Sequence, residues 1–105
     1  MARNRPSKVE NLLLKVKAAV ESGNYVDVTH AQIRQTERNI MRVEYEYVLT
    51  KSGWHEKRKD EFKDEYQNWN YAIRGKTIDE REIRVVVSFD DEGLLIITVI
   101  DLEGS

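Results

Sequence analysis

The chain contains no cysteine, which excludes disulfides and thiolate-held metals and is in keeping with a reducing cytoplasm. Only His30 and His55 remain as imidazole ligands, too few for a dedicated zinc site, so neither a metal nor a cofactor is expected. Long apolar runs are also missing: the longest, Leu94 to Ile100, is far short of the ~20 residues a membrane-crossing helix needs. The N-terminus is basic and lacks the apolar centre of a secretory signal. A cytoplasmic protein with no membrane partner is therefore expected.

A strong excess of one charge is absent as well. The formal net charge of -2 argues against indiscriminate nucleic-acid binding. The charges are nevertheless uneven, with eight Lys/Arg against four Asp/Glu from Met1 to Arg42, and four against eight from Trp69 to Ser105. A basic half and an acidic half could orient an RNA or an acidic partner, although solvated faces account for the same pattern.

At 105 residues, with 40% hydrophobic and 34% charged side chains, the sequence fits one small domain with a heavily charged surface. Residues 1–6 read as a mobile lead-in and 7–105 as the domain. Ser7 and Glu10 form a capping box, and Val9, Leu12, Leu13, Val16 and Val20 recur at helical spacing up to Gly23, a left-handed cap. Tyr25 to Val28 then makes a short extended approach.

The most informative stretch is Val28 to Ile40. Thr29 and Gln32 form a second capping box, Val28 and Ile33 the accompanying hydrophobic staple, and Asn39 a C-terminal stop, predicting a helix from His30 to about Arg38. Within it His30, Arg34 and Arg38 are spaced four apart and share one stripe. The helix N-terminus and both arginines disfavour imidazolium, so His30 is expected to be neutral near pH 7 and able to accept a proton. An imidazole beside two guanidiniums suits phosphate chemistry. The same spacing also suits a plain surface helix whose arginines pair with carboxylates such as Glu37.

A further helix is predicted from Arg42, with Val43, Tyr47 and Val48 buried, Tyr45 and Leu49 widening that face, and Gly53 as its cap. Lys51 to Glu65 is charge-dense and reads as a long loop or partly helical excursion, fastened by Trp54, Phe62 and Tyr66. The rest reads as antiparallel sheet. Trp69, Tyr71 and Ile73 alternate up to Gly75, and Ile83, Val85, Val87 and Phe89 form a second apolar face. Asp90 to Gly93 is a hairpin turn, and Leu94 to Ile100 a central strand buried on both sides. Arg84 and Thr98 interrupt these apolar strands, and each needs a polar partner if buried.

The order Thr29-His30-Ala31, Arg34, Arg38-Asn39-Ile40, then Trp69 to Thr77, Ile83 to Val87 and Leu95 to Ile100 resembles an uncharacterised bacterial family, a domain of unknown function related to the BrnT and RelE type toxins of toxin-antitoxin systems. That resemblance implies an α+β fold, RelE/barnase-like, with N-terminal helices packed on a small antiparallel sheet. It implies an endoribonuclease that acts on RNA, ribosome-bound mRNA included, and is neutralised by a cognate antitoxin protein. Such toxins work without a metal, by promoting attack of the ribose 2′-hydroxyl on the adjacent phosphate. The implied roles are His30 as base or acid, Arg34 and Arg38 as phosphate ligands, and Arg84 as a second contact from the sheet. Thr98, Tyr66 and Arg74 are the implied substrate-binding residues. A non-catalytic RNA- or protein-binding module of the same fold remains the alternative.

Overall fold

The computed structural model describes residues 6–28 and 42–103. His30, Arg34 and Arg38, with the helix expected to carry them, lie outside the described residues, as do residues 1–5 of the expected lead-in.

The first helix, α1, spans Leu12–Ser22 and ends as its sequence predicts. Gly23 takes the left-handed conformation at φ 78°, and its N–H and that of Asn24 close on the carbonyls of Val20 and Ala19. Leu12, Val16 and Val20 are buried along one face, while Val9 and Leu13 pack at its margin. The start of α1 differs from expectation. Asn11, itself left-handed at φ 54°, occupies the cap position without a side-chain cap bond, and Ser7 lies outside the helix. The cause is tertiary: the Trp69 indole N–H donates to the Pro6 carbonyl, and the Val9 N–H donates to the Tyr71 hydroxyl, each at 2.9 Å. Those bonds hold residues 6–9 along the sheet and delay the first turn.

Among the described residues six strands form one mixed sheet: β1 (Tyr25–Asp27), β2 (Trp54–His55), β3 (Glu61–Lys63), β4 (Asn68–Lys76), β5 (Glu82–Asp90) and β6 (Gly93–Asp101). Their order is β1-β6-β5-β4-β2, with β3 also on β4. The fold is α+β, but the sheet is not purely antiparallel, since β1 runs parallel to β6. The extended segment expected at Tyr25 to Val28 is present as β1, but its parallel partner lies about 70 residues later and leaves no local signal. As expected β6 lies inside the sheet, between β1 and β5, but it is not buried on both sides: Leu94, Ile96 and Val99 are buried whereas Leu95, Ile97 and Ile100 are half-exposed. The expected hairpin between β5 and β6 is present, with Asp90 paired to Gly93. A bulge at Ile97 re-phases β6 between Val86 and Val87.

The second described helix, α2 (Arg42–Tyr47), passes into a π-helical turn, Val48–Ser52. Its buried residues are Tyr45, Val48 and Leu49, while Val43, expected inside, is exposed. The Tyr45 hydroxyl donates to Asp27 and the Tyr25 hydroxyl to Glu46, and these bonds turn that side toward β1. Gly53 follows the helix but is extended rather than left-handed. What requires glycine there is space: a Cβ would lie 2.4 Å from the Val48 carbonyl oxygen and 2.7 Å from Ile73 Cγ2.

The charge-dense stretch is partly helical as expected, in the end of the π turn and a 3₁₀ turn at Lys57–Lys59, but it also forms β2 and β3, which the sequence did not suggest. Both strands share one edge of β4: β3 pairs with Asn68 to Asn70, and β2 with Ile73 and Arg74. At the gap the Ala72 carbonyl accepts from the Glu56 N–H, and its own N–H donates to the Asp60 carboxylate. Together with α1 and the π turn, Tyr71, Ile73, Ile83, Val85, Val87, Leu94, Ile96 and Val99 close the core on one face of the sheet. Each fully buried aliphatic side chain contributes ~1.5–3 kcal/mol.

Candidate functional site

Strand alternation sends every second side chain to the sheet face opposite α1. Arg74 of β4 and Arg84 of β5 are direct cross-strand partners there, as are Ala72 and Val86. Thr98 of β6 stands opposite Val86 and is half-buried. The structure therefore brings Arg74, Arg84 and Thr98 onto one face.

Two guanidiniums side by side repel, and Glu56 relieves that repulsion. Its Oε1 accepts from Arg84 Nε at 2.8 Å, and its Oε2 from Arg84 Nη2 at 3.2 Å and Arg74 Nη1 at 3.3 Å. Arg74 Nε also donates to Glu82 at 2.7 Å. Glu56 is 8% exposed. The Arg84 hydrogen bonds, opposed by burial, hold its carboxyl below the usual range. Glu82 is likewise held down, chiefly by Arg74. Arg84 thus has the partner its polarity required, one not identifiable from the sequence. The available signal was a strand arginine in need of a carboxylate, and the chain offers 19 acidic residues.

Four residues along β5, a span of ~13 Å, the same face opens into a cleft of about 1040 Å³. Asn70, Ser88, Leu95 and Ile97 line it from the sheet, and Tyr66 from the turn joining β3 and β4. Val28, the last described residue before the His30 stripe, also lines it. Lys63 supplies positive charge, and Glu65, Asp90 and Asp91 supply negative charge. Tyr66 is therefore in the cleft, whereas Arg74 and Arg84 are farther along the face.

Side-chain hydrogen bonds join β1 to α2. The Tyr25 hydroxyl, which donates to Glu46, accepts from Arg42 Nε at 2.6 Å. Burial, followed by the bond to Glu46, raises the Tyr25 pKa above its ordinary value, and burial with the Asp27 bond raises that of Tyr45.

Asp60 organises a second polar group on the core side. Its Oδ2 lies 2.9 Å from Lys8 Nζ and 2.7 Å from His55 Nε2. This places His55 in a structural clamp. Among the described residues no group of three or more His, Cys, Asp or Glu is placed to hold a metal ion, and no helix is long and apolar enough to cross a membrane.

Fold and site define a small α+β domain with an arginine-carboxylate cluster and a cleft on one sheet face. A sequence model described as Domain of unknown function (DUF4258) matches residues 29–101, and the chain belongs to that family. The matched span begins at the predicted cap of the His30 helix and ends with β6, so α1 and β1 precede it. No curated protein and no solved structure matches the chain.

Proposed function

We propose that the protein is a metal-independent endoribonuclease of the toxin type, with RNA as substrate and an antitoxin protein as its restraint. The observation that carries this reading is the Glu56 carboxylate joining Arg74 and Arg84 on the face that also bears the cleft. Both Glu56 oxygens are occupied by guanidinium N–H groups and its pKa is lowered, so it accepts protons poorly and acts as a positioning residue. It fixes two planar cations side by side, and their remaining donors can meet the oxygens of a phosphodiester.

Proton transfer then falls to His30. The 2′-oxygen bonds to phosphorus as the P–O5′ bond breaks. His30 takes the 2′-hydroxyl proton, and the leaving oxygen takes a proton from water, while Tyr66, in the cleft, serves substrate binding. Arg34 and Arg38 join Arg74 and Arg84 in stabilising the charge that develops on phosphorus-bound oxygens, and Thr98 donates to the ribose. Kinship with RelE and BrnT toxins belongs to this proposal and rests on the sequence pattern.

The test is incubation of purified protein with total RNA and with translating ribosomes. Cleavage by wild type, falling roughly 10²–10⁴-fold in His30→Ala, supports the reading. RNA left intact under both conditions refutes it.

A second reading, a protein-binding module, draws on the same ion pairs, since Arg74 and Arg84 are already neutralised and Glu65, Asp90 and Asp91 give the cleft an acidic rim. In that case His30→Ala leaves partner binding and any growth arrest unchanged.

A further inference from the structure

The cleft has its own chemistry, distinct from that of the arginine cluster. Most of its polar groups are already committed to the fold. Ser88 Oγ donates to the Trp69 carbonyl, the Asn68 carboxamide bonds to both the Phe89 carbonyl and the Trp69 N–H, and Asp90 Oδ1 accepts from the N–H groups of Glu92 and Gly93. Among its uncharged side chains two are not so committed. Asn70, half-buried on the sheet, makes no side-chain hydrogen bond among the described residues, and Tyr66 is 76% exposed at the wall.

An aromatic ring and a carboxamide that both donates and accepts, lining one cleft, are the equipment for holding an unstacked nucleobase, by stacking and by contact with its edge. The acidic rim decides which part of a nucleotide enters. Carboxylates repel phosphate but accept from the N–H groups of a base. The volume, about 1040 Å³, lies just above the ~300–1,000 Å³ usual for small-molecule sites and leaves room for a base with its ribose.

We propose that this cleft is a base pocket for single-stranded RNA, in which one nucleobase stacks on Tyr66 and meets the Asn70 carboxamide while the backbone continues toward Arg74 and Arg84. The proposal rests on the RNA-cleaving reading and adds the site of base selection.

The test is fluorescence anisotropy with short labelled single-stranded RNAs, comparing wild type with Tyr66→Ala and Asn70→Ala, and each RNA with a copy carrying one abasic position. Tyr66→Ala should weaken binding at least about fivefold, the lower end of what losing one stacked base costs. The abasic RNA should weaken wild type similarly and add little to the loss in Tyr66→Ala. Circular dichroism establishes that both variants are folded. RNA bound by wild type with unchanged affinity in both variants overturns the base pocket alone. No RNA binding by wild type overturns the pocket together with the reading beneath it, and capture of a basic peptide instead assigns the cleft to protein binding.

Discussion

Arg84 and Arg74 face each other across two antiparallel strands and share one buried carboxylate, that of Glu56. The pairing is energetically asymmetric. With Glu56 present, both guanidiniums have a counter-ion. Without it, Arg84 loses its counter-ion on a partly desolvated face and stands opposite Arg74, which keeps Glu82. Glu56→Ala should therefore cost about 3 kcal/mol, as expected when one member of a buried ion pair is removed. Urea unfolding checks this as a midpoint lowered by more than about 1 M. An unchanged midpoint would mean that both arginines reach water without loss.

The same carboxylate sets an acid limit on the fold. Its pKa in the folded chain lies below the ordinary value of 4.5, so the folded state favours the ionised form. The stabilisation is thus complete above 4.5 and is lost as pH falls through the lowered folded value. Glu82, held down by Arg74, adds in the same direction. Unfolding free energy measured against pH should fall below about pH 4.5, with a shallower decline in Glu56→Gln. Parallel acid limbs in the two proteins would place the acid sensitivity elsewhere.

The sequence announces the elements whose signal is local. Strands β4, β5 and β6 show two-residue alternation and a turn from Asp90 to Gly93, and α1 ends at a glycine able to turn left-handed. What stayed hidden depends on partners far along the chain. Glu56 and Asp60 sit in a stretch whose composition reads as solvated, yet Glu56 is bound by Arg84, 28 residues later, and Asp60 by Lys8, 52 residues earlier. Charge density alone cannot separate a solvated face from a buried network. The start of α1 escaped for a similar reason, since Trp69 and Tyr71 outcompete the Ser7 and Glu10 capping box for that segment. At the candidate site, Arg84 could be recognised as needing a partner, but the partner's identity is a tertiary fact.

Gly53 should be intolerant of even the smallest side chain. Its backbone is extended, so alanine meets no conformational barrier, but the added Cβ would collide with the Val48 carbonyl oxygen and with Ile73. Gly53→Ala is expected to cost about 1–3 kcal/mol, the range for overpacking. Gly23→Ala provides the contrast. No atom lies within 4 Å of its Cβ position, and only the left-handed φ of 78° opposes alanine, at about 1–2 kcal/mol. Set against the Ile73→Ala single variant, which lacks the colliding Cγ2, Gly53→Ala should cost less than it does in wild type, whereas Gly23→Ala should cost the same on both backgrounds. An undiminished cost of Gly53→Ala on the Ile73→Ala background in thermal unfolding would refute the steric account.

Asp60 joins three parts of the molecule that composition keeps apart. Its carboxylate, 1% exposed, accepts from the Ala72 N–H at 3.0 Å and lies within ion-pair distance of both Lys8 and His55. Lys8 also rests over the Trp69 ring at 4.6 Å, so the N-terminal strap and β4 share this anchor. Asp60→Ala removes an acceptor from a backbone N–H and a counter-ion from Lys8, and should cost about 3 kcal/mol. Asp60→Asn keeps the acceptor but not the charge, and should cost less. The location of the loss is as telling as its size. Amide hydrogen exchange in Asp60→Asn should accelerate at Val9, whose N–H is held by Tyr71 within the same strap, while Val85 and Val87 on the core strand keep their protection. Uniform acceleration across the sheet would show that Asp60 supports the whole domain, and no acceleration at Val9 would show that Trp69 and Tyr71 hold the strap without it.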